Sequence, residues 1–527
     1  MPRYGLRQSD DVSIHIADFQ STYLPGDVII GHVVAKKAFG QGPKVDQTAV
    51  KVSLFGCART KIVSGPDKTT HLGQAVLVDE EQCIFRGTVS AGSKFPFVVT
   101  IPKTPQPAVA KTGDSWDKLH EAQRGDRVVG QDMRFLSNTQ EDITTHTLPA
   151  VFHFEPKRAS TAPGWEAFVE YVLKAELTCR GASDARATFP LLVRAQSTPK
   201  PVDYSQHSFN IDSFHQTTRS ERLLAQNRDK QISLLERSRR LFMPSKVPSY
   251  SYNIRVSTPP VIRLDHPAPV PFKVHVAPLL EQNKVICPGG DVRRLPPIEL
   301  ISLELKLVSL TRVRGPGDHI REEETTYRIP TDQPIAMANY NIPVVVRGNL
   351  RDKEDVDKSA GEPDAQILFE GSPYLDPGSL HAAAEDCILP EGLIEYRSFQ
   401  PHENGRYFLG SPLDLGDSLD LRFSKTECST LGGMPVKFAK RLWRSFATYN
   451  IVQAYELVWK INIACVGETH TTEGRANVGI LPPSEQQVTA RQKSGADITK
   501  DYQEFMAALG LTTDMESNVL DIVSAYK

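Results

Sequence analysis

The sequence predicts an all-β protein made of two tandem sandwiches, and three observations carry that prediction. The stretch Val169 to Gly181 (VEYVLKAELTCRG) places Val169, Tyr171, Leu173, Ala175 and Leu177 on one side of an extended backbone and Glu170, Lys174, Glu176 and Thr178 on the other. Successive side chains of a strand point to opposite faces, so this alternation describes a long strand with one face on a core and one in water. Tyr455 to Gly467 (YELVWKINIACVG) repeats the pattern at an offset of 286, matching Glu170 with Glu456, Val172 with Val458, Lys174 with Lys460, Cys179 with Cys465 and Gly181 with Gly467. Finally, 527 residues exceed what one core encloses, since single cores stop growing near about 250 to 300 residues.

In chain order, Val12, Ile14 and Ile16 alternate, Pro25-Gly26-Asp27 makes a turn, and Val28 to Val34 follows as a strand whose Gly31 marks a bulge or a close backbone approach. Val50, Val52 and Leu54 supply another inward row. At about 1.5 to 3 kcal/mol per fully buried side chain of this size, such rows need a facing sheet to cover them, and a two-sheet sandwich supplies it. In the second half the inward rows are Phe272, Val274 and Val276; Leu303, Leu305 and Leu307; Tyr340, Ile342 and Val344; and the Tyr455 strand. Each copy of the repeat leads into a second apolar run containing proline, ATFPLLV from Ala187 to Val193 and RANVGILPP from Arg475 to Pro483.

Between the halves, 197–246 reads as a polar linker in which Glu221 to Phe242 has helix-forming composition without glycine or proline. Arg219 to Arg240 holds seven Lys/Arg and three Asp/Glu, which fits either a solvated interdomain helix or a basic helix lying on anionic lipid. Past Pro483, residues 484–527 form a tail in which Ile498, Tyr502, Phe505 and Leu509 share one helical face behind Asp497 as a cap, and Val519, Ile522, Val523 and Tyr526 repeat the pattern. The predicted boundaries are 1–196 for the first sandwich and 247–483 for the second, with long insertions at 103–147, 347–370 and 387–406.

Composition excludes several classes. A net charge of -2 with 24% charged residues gives no global pull toward nucleic acid or membrane. Seven widely spaced cysteines, Cys57, Cys83, Cys179, Cys287, Cys387, Cys428 and Cys465, contain no CxxC pair and favour reduced thiols. The start lacks the apolar core of a signal peptide and no apolar run approaches the roughly 18 residues of a membrane span, so a cytoplasmic location is expected. There is no GxGxxG, Walker loop, GxSxG, HExxH or EF-hand sequence. No catalytic residue, cofactor or metal is therefore expected; pairs such as His146 and His153 would meet a metal only through an accident of folding.

The phrases YLPGDVIIGHVV (Tyr23 to Val34), VKVSLFGCART (Val50 to Thr60), FPFVVTIP (Phe95 to Pro102), LPAVFHFE (Leu148 to Glu155) and VEYVLKAEL (Val169 to Leu177) stand in the order of an arrestin-like N-terminal domain. Over about these 170 residues the chain resembles the arrestin-like family of the α-arrestin type, with Val151 where the family prefers serine. Its insertions point to a filamentous-fungal branch. The resemblance implies two immunoglobulin-like Greek-key β-sandwiches joined by a short hinge, and an adaptor that binds membrane receptor or transporter tails and links them to endocytosis, ubiquitination or signalling. It also implies recruitment from the cytoplasm to the plasma membrane or endosomes, with a HECT-type ubiquitin ligase or endocytic coat proteins as partners. WW domains of such ligases read PPxY sequences; none occurs here, and the nearest is the relaxed form Val247-Pro248-Ser249-Tyr250, which reads more readily as the opening of a strand with Tyr250 and Tyr252 on its surface. The loop Arg59 to Thr70 falls where the family carries a crest loop, making Lys36, Lys37, Arg59, Lys61 and Lys68 candidates for cargo or phosphate contacts. A retromer-type or coat subunit of the same fold is the alternative, and a β-sandwich carbohydrate-active enzyme, with paired carboxylates beside an aromatic platform, is the alternative of another class.

Overall fold

The computed structural model describes residues 11–17, 20, 22–39, 48–64, 69–106, 146–156, 164–178, 185–197, 202–204, 208–227, 242, 247–279, 286, 295–315, 319–331, 340–342, 412–431 and 435–488. These are nearly all strand, arranged around two hydrophobic cores. The predicted all-β class is what the molecule adopts.

The first unit contains β1 (Val12–Ile16), β2 (Val28–Ala35), β3 (Ala49–Ser64), β4 (Thr69–Arg86), β5 (Lys94–Thr100), β6 (Phe152–Phe154), β7 (Trp165–Thr178) and β8 (Ala185–Leu191). A three-stranded sheet β1-β2-β5 faces a five-stranded sheet β4-β3-β7-β6 in which β8 also pairs with β7. Ile29, Val33, Phe95, Phe97 and Val99 from the small sheet meet Val50, Val52, Leu54, Leu173 and Leu177 from the large one. Pro25 and Gly26 make the turn read from sequence: Gly26 has φ +97 and the Asp27 amide donates to Leu24 O at 3.0 Å, the positive-φ third position of a type II turn. Gly31 marks a close approach, because β1, β2 and β5 pair there without a register shift and a Cβ would collide with the His15 carbonyl and the Phe97 ring.

The second unit contains β9 (Asn210–Arg219), β10 (Ser249–Thr258), β11 (Val261–Arg263), β12 (Lys273–Pro278), β13 (Ile298–Arg314), β14 (Ile320–Ile329), β15 (Tyr340–Asn341), β16 (Leu413–Asp414), β17 (Arg422–Phe423), β18 (Glu427–Ser429), β19 (Val436–Lys437), β20 (Phe446–Ala447), β21 (Ile451–Cys465), β22 (Glu468–Asn477) and β23 (Gly479–Leu481). Sheet β16-β12-β10-β9 packs over β14-β13-β21-β20, to which β15 and β22 are added. Phe272, Val274, Val276, Leu303, Leu305, Leu307, Trp459 and Ile461 fill the space between them.

The repeat read from Val169 and Tyr455 is visible as topology. Each large sheet has a long hairpin (β4-β3, β14-β13), a long strand beside it (β7, β21), a short strand on its far side (β6, β20) and a return strand (β8, β22). The register agrees: Tyr171 pairs with Leu191, and an offset of 286 carries Tyr171 to Leu457, whose partner Ala476 lies 285 beyond Leu191. Beyond the return strand, the parallel bridge Tyr23 to Val193 corresponds to the parallel pair β11 and β23, where Val261 meets Gly479, 286 beyond Val193.

Two boundaries differ from the prediction, and so does the start of the linker helix. The segment expected to be linker supplies β9, paired with β10 over its whole length, while Val202 and Tyr204 enter the second core. Its alternation Asn210, Asp212, Phe214, Gln216 and Thr218 inward against Ile211, Ser213, His215, Thr217 and Arg219 outward is a strand pattern built from polar residues, because only the Phe214 side meets the core. The helix expected from Glu221 opens as two 3-10 turns, Glu221–Leu223 and Ala225–Asn227, with Ser220 accepting from the Arg222 amide; 228–241 lies outside the described residues, as do most of the three insertions and the tail helices beyond 488. Finally, the first core is completed by Val313, Phe446, Tyr449 and Ile451, which belong to the second half of the sequence.

Candidate functional site

Two places combine buried polar chemistry with a structural consequence: the outer face of the first unit's large sheet, and the joint between the units. On β7, Phe168, Glu170 and Val172 point away from the core yet are buried, so the half of this strand expected in water is covered near Glu170. Arg59 Nη1 meets Glu170 Oε1 at 3.0 Å, Arg59 Nε donates to Gln74 Oε1 at 2.8 Å, and the guanidinium lies 6.0 Å from the Phe168 ring. The Cys57 thiol contacts Glu170 at 3.8 Å. Burial, with Glu170 adding to it, pushes that thiol up to about 12, so at neutral pH it is a protonated packing group and not a nucleophile. Lys174 stands 3.9 Å over the Phe55 ring, its proton affinity lowered first by burial.

At the joint, Thr60 Oγ1 donates to Arg314 O at 2.7 Å and Asn450 Nδ2 to Ala58 O at 3.1 Å, tying β3 to the end of β13 and to the turn before β21. Gly73 is required on β4, where a Cβ would sit 2.5 Å from Thr60 Oγ1 and 3.1 Å from Arg314 O. Phe152 holds Phe446 at 4.9 Å and Trp443 at 5.2 Å, both edge-on, the favoured geometry for aromatic pairs. The rings of His71 and His319 approach to 3.8 Å. His71 Nε2 bonds Ser64 Oγ at 2.8 Å while its Nδ1 is buried without a partner; burial first, then His319 and Arg321, hold its proton affinity below the ordinary histidine value.

Trp443 and Phe446 belong to a phrase whose pairing the sequence reading missed. Leu442 to Phe446 (LWRSF) stands where Leu148 to Phe152 (LPAVF) stands in the first unit: Tyr171 Oη donates to Pro149 O at 2.7 Å and Tyr455 Oη to Trp443 O at 2.8 Å. Val151 N donates to Val193 O, and Ser445 N to Ile480 O. Ser445 occupies the position of Val151 and its hydroxyl accepts from the Ile480 amide at 2.8 Å. The phrases lie 294 apart, out of step with the 286 of the strands, so a search at one fixed offset passes over them.

The predicted site residues scatter. Arg59 is 2% exposed and paired inside the protein, and it lies in β3 together with Lys61 because that strand runs to Ser64; Arg59 is therefore not a crest-loop contact. Lys36 is exposed, Lys37 bonds Asp11 at 2.5 Å, Lys61 is half-buried, and Lys68 lies outside the described residues. Val247 is buried, Pro248 half-buried, and Tyr250 and Tyr252 are both 0% exposed. These tyrosines are core residues of β10 rather than surface groups, so the relaxed motif cannot enter a WW groove while the strand is formed. The structure adds an exposed apolar strip on the outer face of β2 and β5, where Val28, Ile30 and Val98 remain 49%, 49% and 56% exposed beside the stacked rings of His15 and His32 at 5.2 Å. Both histidines are held below their usual value, first by burial and then by cationic neighbours that include Lys94.

Among the described residues no group of three His, Cys, Asp or Glu side chains could hold a metal, and no helix is long and apolar enough to cross a membrane. None of the described cysteines Cys57, Cys83, Cys428 and Cys465 forms a disulfide. Compared with known proteins, the chain matches no family model and no curated sequence.

Proposed function

We propose that the protein is a cytosolic adaptor of the arrestin-like class, acting by reversible recognition of membrane receptor or transporter tails and linking them to endocytic or ubiquitination machinery. The observation that supports this most is the repeated unit. The same arrangement of hairpin, long strand, return strand and parallel bridge occurs twice, and a phrase of the second unit plugs the first. A two-unit body of this kind offers broad sheet faces, and contiguous exposed apolar side chains such as Val28, Ile30 and Val98 mark surfaces for protein partners. Lys36, Lys37 and Lys61 remain the proposed cargo-facing cations. A ligase, if recruited, is engaged through a segment other than Val247 to Tyr250.

The test is proximity labelling followed by mass spectrometry, with the tag on the full chain. Enrichment of integral-membrane receptors or transporters together with a ligase or endocytic coat supports the reading. Stable coat or retromer subunits without membrane cargo would replace it with the trafficking-subunit alternative, and absence of both classes would remove it.

A further inference from the structure

The tips of the two long hairpins meet at the joint. β3 and β4 turn after Ser64, β13 and β14 turn near Gly315, and His71 of β4 comes against His319 with ring centroids 3.8 Å apart. Ile62 pairs with His71 across the first hairpin, so both side chains leave the same face. That face receives the second unit: a Cβ on Gly315 would come within 3.1 Å of Ile62 Cδ1 and 3.6 Å of His71 Cβ. His71 is 8% exposed; its Nε2 bonds Ser64 Oγ at 2.8 Å and its Nδ1 has no partner.

A proton added to this ring is poorly accommodated. Neutral imidazole carries one N–H and imidazolium two, and Ser64 serves only one ring nitrogen, so the charged ring leaves a buried donor unmatched. The charges that face it have the same sign. After burial itself, His319 before β14 and Arg321 on β14 oppose protonation of His71. Arg314 closes β13 alongside, its carbonyl held by Thr60 Oγ1 at 2.7 Å. The carboxylates of β14 are engaged elsewhere or in water, Glu322 with Arg312, Glu323 with Lys440, and Glu324 exposed. Arg59 and Lys61 leave the opposite face of β3. Asp67, Lys68 and Asp318, in the turns themselves, lie outside the described residues.

We infer that His71 and His319 form an acid-released latch between the units: the uncharged rings pack and hold the two hairpin tips together, and protonation of His71 drives the tips apart. The bond from Asn450 to Ala58 and the contact of Phe152 with Phe446 keep the units joined beyond the latch. In the open form the His71 ring is solvated and takes up a proton with ordinary histidine affinity, whereas in the closed form that affinity is lowered. The open form therefore binds more protons, so the latch is fully closed above about 6.5 and weakens as pH falls toward the closed-form value. The device goes beyond the adaptor reading and stands or falls without it.

The test is hydrogen exchange of the purified full chain at pH 7.5 and 5.5, read by mass spectrometry and corrected for the intrinsic pH dependence of amide exchange. The Gly315 amide, which donates to His319 O at 2.8 Å, and the paired amides from Ile62 to His71 should exchange severalfold faster at pH 5.5, while β10 and β12 of the second core keep their protection. His71→Gln, which retains a hydrogen-bonding group and carries no charge, should lose the response. His319→Lys, at a half-buried position, sets a permanent charge against His71 and should show the fast exchange already at pH 7.5. Unchanged exchange at the tips, a response that His71→Gln retains, slower exchange at pH 5.5, or a rise shared equally by β10 and β12 overturns the latch. If the circular dichroism of His71→Gln departs from wild type, His319→Lys decides alone, and protection equal to wild type at pH 7.5 overturns it.

Discussion

Truncating Phe446 to alanine tests how the second half of the chain completes the first unit. Phe446 is 9% exposed and belongs to the first core although β20 pairs with β21 of the second. Its ring meets Phe152 edge-on at 4.9 Å, and Trp443 meets Phe152 at 5.2 Å. A buried Phe→Ala change costs about 3 to 5 kcal/mol, the transfer term plus the cavity, of which roughly 0.5 to 1.5 kcal/mol belongs to the edge-on pair. At about 2 to 4 °C per kcal/mol for a unit of about 150 to 250 residues, the midpoint of the first unit should fall by roughly 6 to 20 °C. Urea unfolding followed by hydrogen exchange at β3 and β7 reads that unit directly. In the cycle with Phe152→Ala, the double variant should lose less than the sum of the single ones, by about the pair term. A loss under about 1 kcal/mol, or protection at β3 and β7 unchanged, would show that Phe446 is not part of the first core.

Other substitutions probe single contacts. Gly56→Ala places a Cβ 2.5 Å from the Tyr171 ring and should cost about 1 to 3 kcal/mol by overpacking, read as a lowered urea midpoint; Gly92→Ala, where a Cβ meets nothing within 4 Å but φ is +81, separates the backbone cost from the collision. Val466 sits at φ 46 in the two-residue turn that joins Cys465 to Glu468, a conformation Asn accepts and a β-branched residue resists, so Val466→Asn should stabilise by up to about 1 kcal/mol, unless the packing of Val466 on the second core offsets it. Thiol labelling of the native protein should modify exposed Cys83 well before buried Cys57 and Cys428, both held near 12 by burial first; early loss of Cys57 would contradict its placement. His15, His32, His71 and His470 are each lowered from 6.5, first by burial. The unfolded chain therefore binds more protons between 6.5 and the folded values. Their stabilisation is complete above 6.5 and is lost as pH falls toward the folded values. His71→Gln should flatten that slope between pH 7.5 and 5.5, and a slope equal to wild type would remove the His71–His319 contact from the explanation.

The elements legible in the sequence were those with one dry face. Val50, Val52 and Leu54, or Leu303, Leu305 and Leu307, alternate because water lies on one side of them only. The Val169 strand shows the limit of that logic: Glu170 reads as solvated, but Arg59 and Gln74 accompany it into a covered face, and a charged residue with a buried partner from another strand carries no local sign of its burial. Tyr250 and Tyr252 show the same limit, as tyrosines two apart behind a proline suggest a surface motif while 0% exposure makes them core. β9 was hidden because an edge strand with one apolar anchor, Phe214, has little hydrophobic pattern to read. The joint was the least legible, since Ala58 and Asn450, or Arg444 and Thr147, are brought together only by the packing of two finished units. Yet Leu442 to Phe446 and Leu148 to Phe152 could have been matched by allowing the offset to drift from 286 to 294.

The dependence of the first unit on the second is most directly measured by producing residues 1–201 alone and recording their unfolding by urea and near-ultraviolet circular dichroism. Val313, Phe446, Tyr449 and Ile451 are then missing from the first core; at about 1.5 to 3 kcal/mol each they withdraw roughly 6 to 12 kcal/mol, as much as the roughly 5 to 15 kcal/mol that holds a typical domain folded. The expected outcome is a chain with no cooperative transition and a weak near-ultraviolet signal, restored in the full-length protein. A fragment that unfolds cooperatively at the midpoint of the full chain would contradict the shared core.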